Sequence, residues 1–169
     1  MTKKLIILLL AIAPIAAVAQ NAKLAHINTQ EIFSLMPELP GIETQLNTQQ
    51  EEITKNGQAI VDEFNKKAEE FQKTATTASE AVKADQQKQL DQLQERYQMF
   101  LQNSQKTMEE LRQKLLAPVQ QKIANAIKAV GDEKGYTYIF DLAAGNLVYV
   151  ATTGAEDATP LVKTKLGIK

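Results

Sequence analysis

The chain has 169 residues, with 20 acidic and 19 basic side chains, one histidine, no cysteine and no tryptophan. Without cysteine it can form no disulfide, thiolate metal site or thiol nucleophile, and any histidine chemistry would depend on His26 alone. No glycine lies in a GxxxxGK[ST] phosphate-binding loop, and the slight acidic excess argues against nucleic-acid binding. We therefore expect a protein that is not an enzyme and that needs no cofactor or metal ion.

The first 19 residues have the pattern of a signal peptide. Lys3 and Lys4 form a short basic start, residues 5–18 are apolar, and Ala17 and Ala19 are the small side chains expected before a cleavage site. The apolar run is shorter than the about 20 residues of a membrane-spanning helix. We expect cleavage after Ala19 and an exported, soluble mature chain.

A strand and a short helix are predicted at the start of the mature chain. Residues 23–28, with the apolar side chains of Leu24, Ala25 and Ile27, are predicted to form a strand before the helical stretch. Asn28 and Glu31 have the spacing of a helix cap, so a helix is predicted over 29–36.

Residues 40–118 predict a long helical hairpin. Within 42–117 there are no prolines, one glycine, and 14 of the 18 glutamines, with 13 acidic and 10 basic side chains in a fine mixture. Such a composition favours solvated helices, and Pro40 fits the first helical turn. Apolar side chains recur with a coiled-coil period. They are Leu39, Leu46, Ile53 and Ile60 in the first arm, and Leu90, Leu93, Tyr97 and Phe100 in the second.

A turn at 74–77 is predicted to join the two arms. Thr77 and Glu80 have the spacing of a capping box, which would begin the second arm. At 1.5 Å per residue, an arm of about 35 residues is roughly 50 Å long. An antiparallel hairpin then pairs Phe64 with Leu93, Ile60 with Tyr97, and Leu46 with Leu111.

Two further strands and a last helix are predicted after the hairpin. Gly135 ends the second arm, and Asp157 or Thr159 caps the last helix, which has Pro160 in its first turn and ends at Gly167. The strands are 136–142 and 146–151, joined by a tight hairpin at 143–146.

The fold class is therefore α+β and mainly α, with the hairpin inserted in a small β domain over 20–39 and 119–169. That domain has about 60–70 residues and open strand edges, so it would be marginal alone. A homo-oligomer would close the sheet. The residues predicted for the interior of this domain and its subunit interface are Ile27, Tyr136, Tyr138, Phe140, Leu147 and Tyr149.

Both ends of the hairpin resemble the Skp/OmpH family of periplasmic chaperones, and the resemblance extends over the mature chain. The segments that carry it are LAHINTQEIFSLMPE at 24–38, LAPVQQKIANAIKAV at 116–130, EKGYTYIFD at 133–141 and LVKTKLGI at 161–168. It implies a trimer shaped like a jellyfish, with a β-barrel and three helical arms around a cavity. It also implies ATP-independent holding of unfolded outer-membrane proteins in the periplasm. The net charge of −3 on these arms departs from the lysine-rich arms of well-known members, which argues against direct attraction to an anionic membrane.

Several arm residues are candidates for client contact or for flexibility. Met99 lies off the apolar lane and is either a client contact or a singly exposed hydrophobe. Gly57 is either a hinge or a glycine tolerated on a solvated helix, and Pro118 predicts a kink where the second arm leaves the β domain. The aromatic residues on the lane are expected in the hairpin core, with client contact near the open tip as the alternative. These are Phe64, Phe71, Tyr97 and Phe100.

The main alternative function is a coiled-coil structural or adaptor protein of the cell envelope. Such a protein would have the same hairpin and no affinity for unfolded chains. His26 is expected to be a structural strand residue, since a lone histidine offers no constellation for catalysis or metal binding.

Overall fold

The computed structural model describes residues 22–145, 147, 149–151 and 153–169, so the predicted signal peptide lies outside the described residues. The elements are β1 (Leu24–Ile27), α1 (Thr29–Ser34), α2 (Leu39–Thr74), α3 (Glu80–Lys134), β2 (Tyr138–Asp141), a 3-10 turn (Leu142–Ala144), β3 (Ala155–Asp157) and α4 (Thr159–Leu166). They form two compact units. The helical unit is Phe33–Lys122, and the sheet unit comprises the described residues up to Ile32 together with Ile123–Lys169.

The helical unit is built from α2 and most of α3, which run antiparallel. Contacts between the two helices join Glu63 to Arg96 and Lys67 to Gln89, so later residues of α2 meet earlier residues of α3. Ile60, Leu90 and Leu93 are buried along the seam between them. The predicted long hairpin is thus confirmed. Within the described part of the chain, no helix combines the length and apolarity that a bilayer crossing requires.

Most predicted helix ends are confirmed. The Asn28 side chain accepts a hydrogen bond from the Glu31 N–H (3.0 Å), Pro40 lies in the first turn of α2, and α3 ends at Lys134 before Gly135. Gly135 and Gly167 have φ values of 67° and 73°, which glycine adopts without a steric penalty.

The predicted capping box at Thr77 is wrong. The α3 helix begins at Glu80, directly after Ser79, whose Oγ accepts a hydrogen bond from the Val82 N–H (3.4 Å). The Thr77 hydroxyl instead donates to the Thr74 carbonyl at the end of α2 (3.4 Å). In the connection between the two helices, Thr77 therefore caps the end of α2 and Ser79 caps the start of α3.

The sheet has the order β2-β1-β3, and both outer strands run parallel to β1. The predicted strand 136–142 is present over Tyr138–Asp141, and the third strand of the described sheet is Ala155–Asp157 rather than the predicted 146–151. Residues 146 and 148 lie outside the described residues, and residues 147 and 149–151 belong to no strand, so the predicted hairpin is not among the described elements. After β2 the chain coils into the 3-10 turn, where the Asp141 carboxylate accepts the Ala143 N–H (3.0 Å). Parallel strands require a longer connection than a tight hairpin.

Alternation along the strands separates two faces of the sheet. Ala25 and Ile27 of β1 are buried, and Ile139 of β2 lies beside α3, where a Cβ added to Gly131 would be 3.4 Å from its Cδ1. Ile32, Ile123, Ala126, Val130, Ala158 and Val162 complete the buried core of the sheet unit. Burying an isoleucine or valine side chain contributes about 1.5–3 kcal/mol. This core fixes which face of the sheet remains outside.

The outward face carries Tyr138 and Phe140, which are 60% and 41% exposed. Ile139, between them in the strand, packs instead beside Gly131 of α3. The predicted place of Tyr138 and Phe140 in the interior or the subunit interface of an oligomer stays a prediction. Tyr136 is half-buried at the start of this region, and Ile27 is buried as predicted. A role of this face between subunits stays a prediction.

Candidate functional site

An open groove lies on the helical unit along the seam between α2 and α3. Its volume is 840 Å³, and its apolar lining comes from both helices. Ile60, Val61 and Phe64 line it from α2, and Leu93 and Tyr97 line it from α3. The predicted pairs Phe64–Leu93 and Ile60–Tyr97 thus meet at the same place. Because Val61, Phe64 and Tyr97 are only half-buried, the hairpin presents apolar surface here to solvent.

The rim of this groove is polar and comes mainly from α3. It includes the amide side chains of Gln92, Gln94 and Gln98. Amides both donate and accept hydrogen bonds, so they can pair with either polar group of a peptide backbone. The rim also carries the ammonium of Lys88 and the carboxylates of Asp91 and Glu95. Such a groove suits weak contact with an extended chain better than enclosure of a small molecule.

Polar contacts hold the two helices in register on one side of the seam. Arg96 donates to the Glu63 carboxylate (3.2 Å), Lys67 donates to the Gln89 side-chain oxygen (2.7 Å), and the Thr74 hydroxyl contacts Gln86 (3.1 Å). Glu63 and Arg96 are exposed, so their ion pair contributes little to stability, about 0–1 kcal/mol. The other four groups are half-buried, and a hydrogen bond of this kind contributes about 0.5–1.5 kcal/mol. Their common effect is to fix the register of α2 against α3.

Gly57 is buried on α2, where it faces Phe100 of α3. A Cβ at this position would lie 3.0 Å from the Phe100 ring. The interpretation of Gly57 as a tolerated glycine on a solvated helix is therefore wrong, because the missing side chain makes room for an aromatic ring. Its role as a hinge stays a prediction, as does a kink at Pro118, which lies inside α3.

The other predicted arm residues separate into seam and surface. Phe71 and Phe100 are half-buried, with the Phe100 ring beside Gly57 on the seam, whereas Met99 is 57% exposed on α3. Leu101, which is 39% exposed, and Val82 also project from α3, and neither was predicted as a site residue. Leu101 follows Gln94 and Gln98 at helical spacing, which would have been the signal for it.

A second candidate surface is the outward face of the sheet. The Tyr138 and Phe140 rings lie 6.1 Å apart between centroids, and His26 of β1 is in register with Phe140 on one side and Asp157 on the other. Tyr149, which is 80% exposed, and the half-buried Leu147 lie in the following loop. This apolar surface is typical of one that contacts another protein chain.

Ionisable groups at the sheet ends have structural partners. Burial and the neighbouring Glu156 carboxylate raise the pKa of Tyr136 to about 12. Burial alone would raise the pKa of Asp141, but hydrogen bonds from the Thr29 hydroxyl (2.5 Å) and from the Ala143 and Thr29 N–H groups lower it. Asp141 thus ties β2 to the start of α1.

Among residues 22–145, 147, 149–151 and 153–169, no three histidine, aspartate or glutamate side chains are grouped to hold a metal ion. Asp157 accepts the Thr159 N–H (2.9 Å), and Thr159 accepts the Asn28 N–H (3.1 Å). The polar groups near His26 therefore serve the connections between strands and helices.

Comparisons with known proteins agree with this architecture. Residues 23–166 match the family model described as outer membrane protein (OmpH-like). The chain is 27% identical over 154 residues to the chaperone protein Skp of Pectobacterium atrosepticum, covering 89% of this chain and 88% of the relative. A crystal structure of an OmpH-like outer membrane chaperone from Caulobacter crescentus superposes with a TM-score of 0.69 at 19% identity, covering 85% of this chain and 82% of the other.

The family match covers most of the chain, and the structural similarity extends over both units. The family match includes the segments around β1 and β2 in which the sequence resembles the family. The resemblance is thus confirmed by family, relative and fold together. This chain belongs to the OmpH-like outer membrane protein family, which includes the Skp chaperones.

Proposed function

We propose that this chain is an ATP-independent holdase of the periplasm, which keeps unfolded outer-membrane proteins from aggregating before they insert. The observation that carries the proposal is the open groove on the helical unit, with its apolar floor of Ile60, Phe64 and Tyr97 and its rim of glutamines. Membership of the OmpH-like family also supports a chaperone function.

The chemistry of the client favours such a surface. An unfolded strand of a membrane β-barrel presents apolar side chains on alternate positions and unpaired backbone groups between them. A groove with an apolar floor and an amide rim can contact both, and an open groove allows release without an energy source. Because the sequence has no phosphate-binding loop, release would follow from folding of the client in the membrane.

We further propose that three copies assemble through the outward face of the sheet, so that the helical pairs enclose a client between them. The exposed rings of Tyr138 and Phe140 and the open edges of a three-stranded sheet support this part of the proposal. Covering such edges prevents uncontrolled strand pairing. Export by the predicted signal peptide would bring the chain to its clients.

The test is the aggregation of a β-barrel outer-membrane protein diluted from urea, followed by light scattering with and without the mature chain. We expect suppression without ATP that saturates at three chains per client. A folded but inactive chain at every excess would contradict the holdase and leave the structural coiled-coil role. Bovine serum albumin at equal mass controls for nonspecific suppression.

A further inference from the structure

The two flanks of the helical pair differ in chemistry. On α2, Asn56, Glu63, Lys67 and Thr74 recur at spacings of seven, four and seven, so they share one face of the helix. Three of them make the polar contacts that cross to α3, through Gln86, Gln89 and Arg96. We call this side the braced flank. Its polar groups are engaged with each other across the seam.

The opposite side carries the groove, and we call it the groove flank. Gln94, Gln98 and Leu101 follow each other on α3 at spacings of four and three, and Val61 faces them from α2. Leu101 is 39% exposed and extends the apolar surface beyond the groove. The braced flank leaves few groups for a ligand, whereas the groove flank offers apolar contact and hydrogen bonds together.

The rim of the groove also has a net negative charge. It carries two carboxylates, Asp91 and Glu95, and one ammonium, Lys88. Asp91 also accepts a hydrogen bond from Gln87 (2.9 Å), which holds its carboxylate in place. The excess is in the same direction as that of the arms as a whole, which have 13 acidic and 10 basic side chains. An acidic rim favours cationic ligands over anionic ones, most strongly at low salt.

We propose that the groove flank binds extended segments of unfolded polypeptide in which an aromatic or branched apolar side chain lies next to a lysine or arginine. The apolar side chain contacts Phe64, Leu93 and Tyr97, the backbone pairs with the glutamines of the rim, and the basic side chain lies against Asp91 and Glu95. This inference rests on the proposed function and deepens it, since it assigns the client-contact side and the class of segment.

The first experiment tests which flank of the helical pair contacts the client. The photo-crosslinker p-benzoylphenylalanine replaces Gln98 on the groove flank or, as a matched control at a similar level of the hairpin, Asn56 on the braced flank. Each full-length mature chain is mixed with an unfolded β-barrel protein and irradiated. We expect at least fivefold more crosslinked client from position 98. Equal yields, or more from position 56, would overturn the assignment of the flank.

The second experiment measures charge selection with two labelled ten-residue peptides. Both alternate phenylalanine and serine, and they differ only in carrying two lysines or two glutamates. Fluorescence anisotropy with the wild-type chain is expected to show severalfold tighter binding of the lysine peptide. The variant Asp91→Asn with Glu95→Gln should remove this difference. Equal affinities in the wild type, or a difference that survives in the variant, would contradict the proposal.

These outcomes separate this inference from the proposed function. If the chain suppresses aggregation but crosslinks without preference for a flank, the inference fails and the holdase stands. If it binds the lysine peptide selectively through Asp91 and Glu95 but never suppresses aggregation, the groove is a peptide site and the holdase fails.

Discussion

At the scale of single residues, Gly57 gives the sharpest test of how the two helices pack. Gly57→Ala adds helix propensity of about 1 kcal/mol but places a Cβ 3.0 Å from the Phe100 ring. Because that ring is held on the seam, we expect a net loss of about 1 kcal/mol in the free energy of unfolding. Urea denaturation measures it, and the double variant with Phe100→Leu should recover stability.

Gly41→Ala is the control for this prediction, since nothing lies within 4 Å of a Cβ at that position. We expect it to be neutral or stabilising. If Gly57→Ala proves as stable as Gly41→Ala, the Phe100 ring moves freely and the seam is looser than its contacts indicate. A larger spread of the arms in small-angle scattering of the wild type than of Gly57→Ala would support the hinge.

Asp141 makes a testable contribution to the pH dependence of stability. Its pKa is lowered in the folded chain by hydrogen bonds from Thr29 and Ala143, which outweigh the effect of burial. The stabilisation is therefore present above the ordinary pKa of 3.8 and is lost as the pH falls through the lower folded value. Asp141→Asn should lower the free energy of unfolding at pH 7 by about 1–3 kcal/mol and flatten its decline below pH 4.

Urea denaturation between pH 3 and pH 7 checks this prediction. Asp132→Asn is the control, because Asp132 forms an exposed ion pair with Lys128 (2.6 Å), and such pairs contribute little. If the free energy of unfolding of Asp141→Asn depends on pH as that of the wild type does, another group causes the loss of stability at low pH.

At the scale of elements, two substitutions that each remove a hydroxyl can test which residue caps the start of α3. Ser79 caps this helix, whereas Thr77 contacts the end of α2. Loss of an N-cap hydroxyl costs about 0.5–2 kcal/mol. We therefore expect Ser79→Ala to lower thermal stability measured by circular dichroism, and Thr77→Ala to change it by less than half as much. If Thr77→Ala lowers thermal stability more than Ser79→Ala does, Thr77 is the residue that caps α3.

The helices could be predicted from the sequence because their signals are local and repeated. The heptad spacing through Ile53 and Ile60, and the caps at Asn28 and Gly135, depend only on neighbours along the chain. The cap at Ser79 was missed because Thr77 has the better capping-box spacing to Glu80. Thr77 and Ser79 are two residues apart, and the path of the backbone decides which hydroxyl caps the helix.

The third strand was not predictable from local pattern. Residues 155–157 are Ala, Glu and Asp, which have low strand propensity, and they form a strand only because β1 provides a parallel partner. The groove was foreseeable in part, since Phe64 and Tyr97 were candidates. The flank of the hairpin that carries the groove could not be predicted. Val61, Gln98 and Leu101 can be placed on one flank only after the contact between Glu63 and Arg96 has fixed the rotation of both helices.

At the scale of the whole molecule, the outward sheet face tests the proposed assembly. Phe140 is 41% exposed in the single chain and makes its ring contact with Tyr138 on that face. If copies of the chain bury this face, a carboxylate at position 140 would lose its water without gaining a partner, which costs several kcal/mol per subunit. Phe140→Asp should therefore convert the oligomer to monomers, measured by size-exclusion chromatography with light scattering.

The matched control is Val82→Asp, which makes the same kind of change at an exposed position of α3. It should leave the oligomer intact, and circular dichroism should show both variants equally helical. A trimer that persists in Phe140→Asp would exclude this face from the interface. Monomers in both variants would place α3 in the contact between copies, and the client cavity would then have to be sought on a different surface of the helical unit.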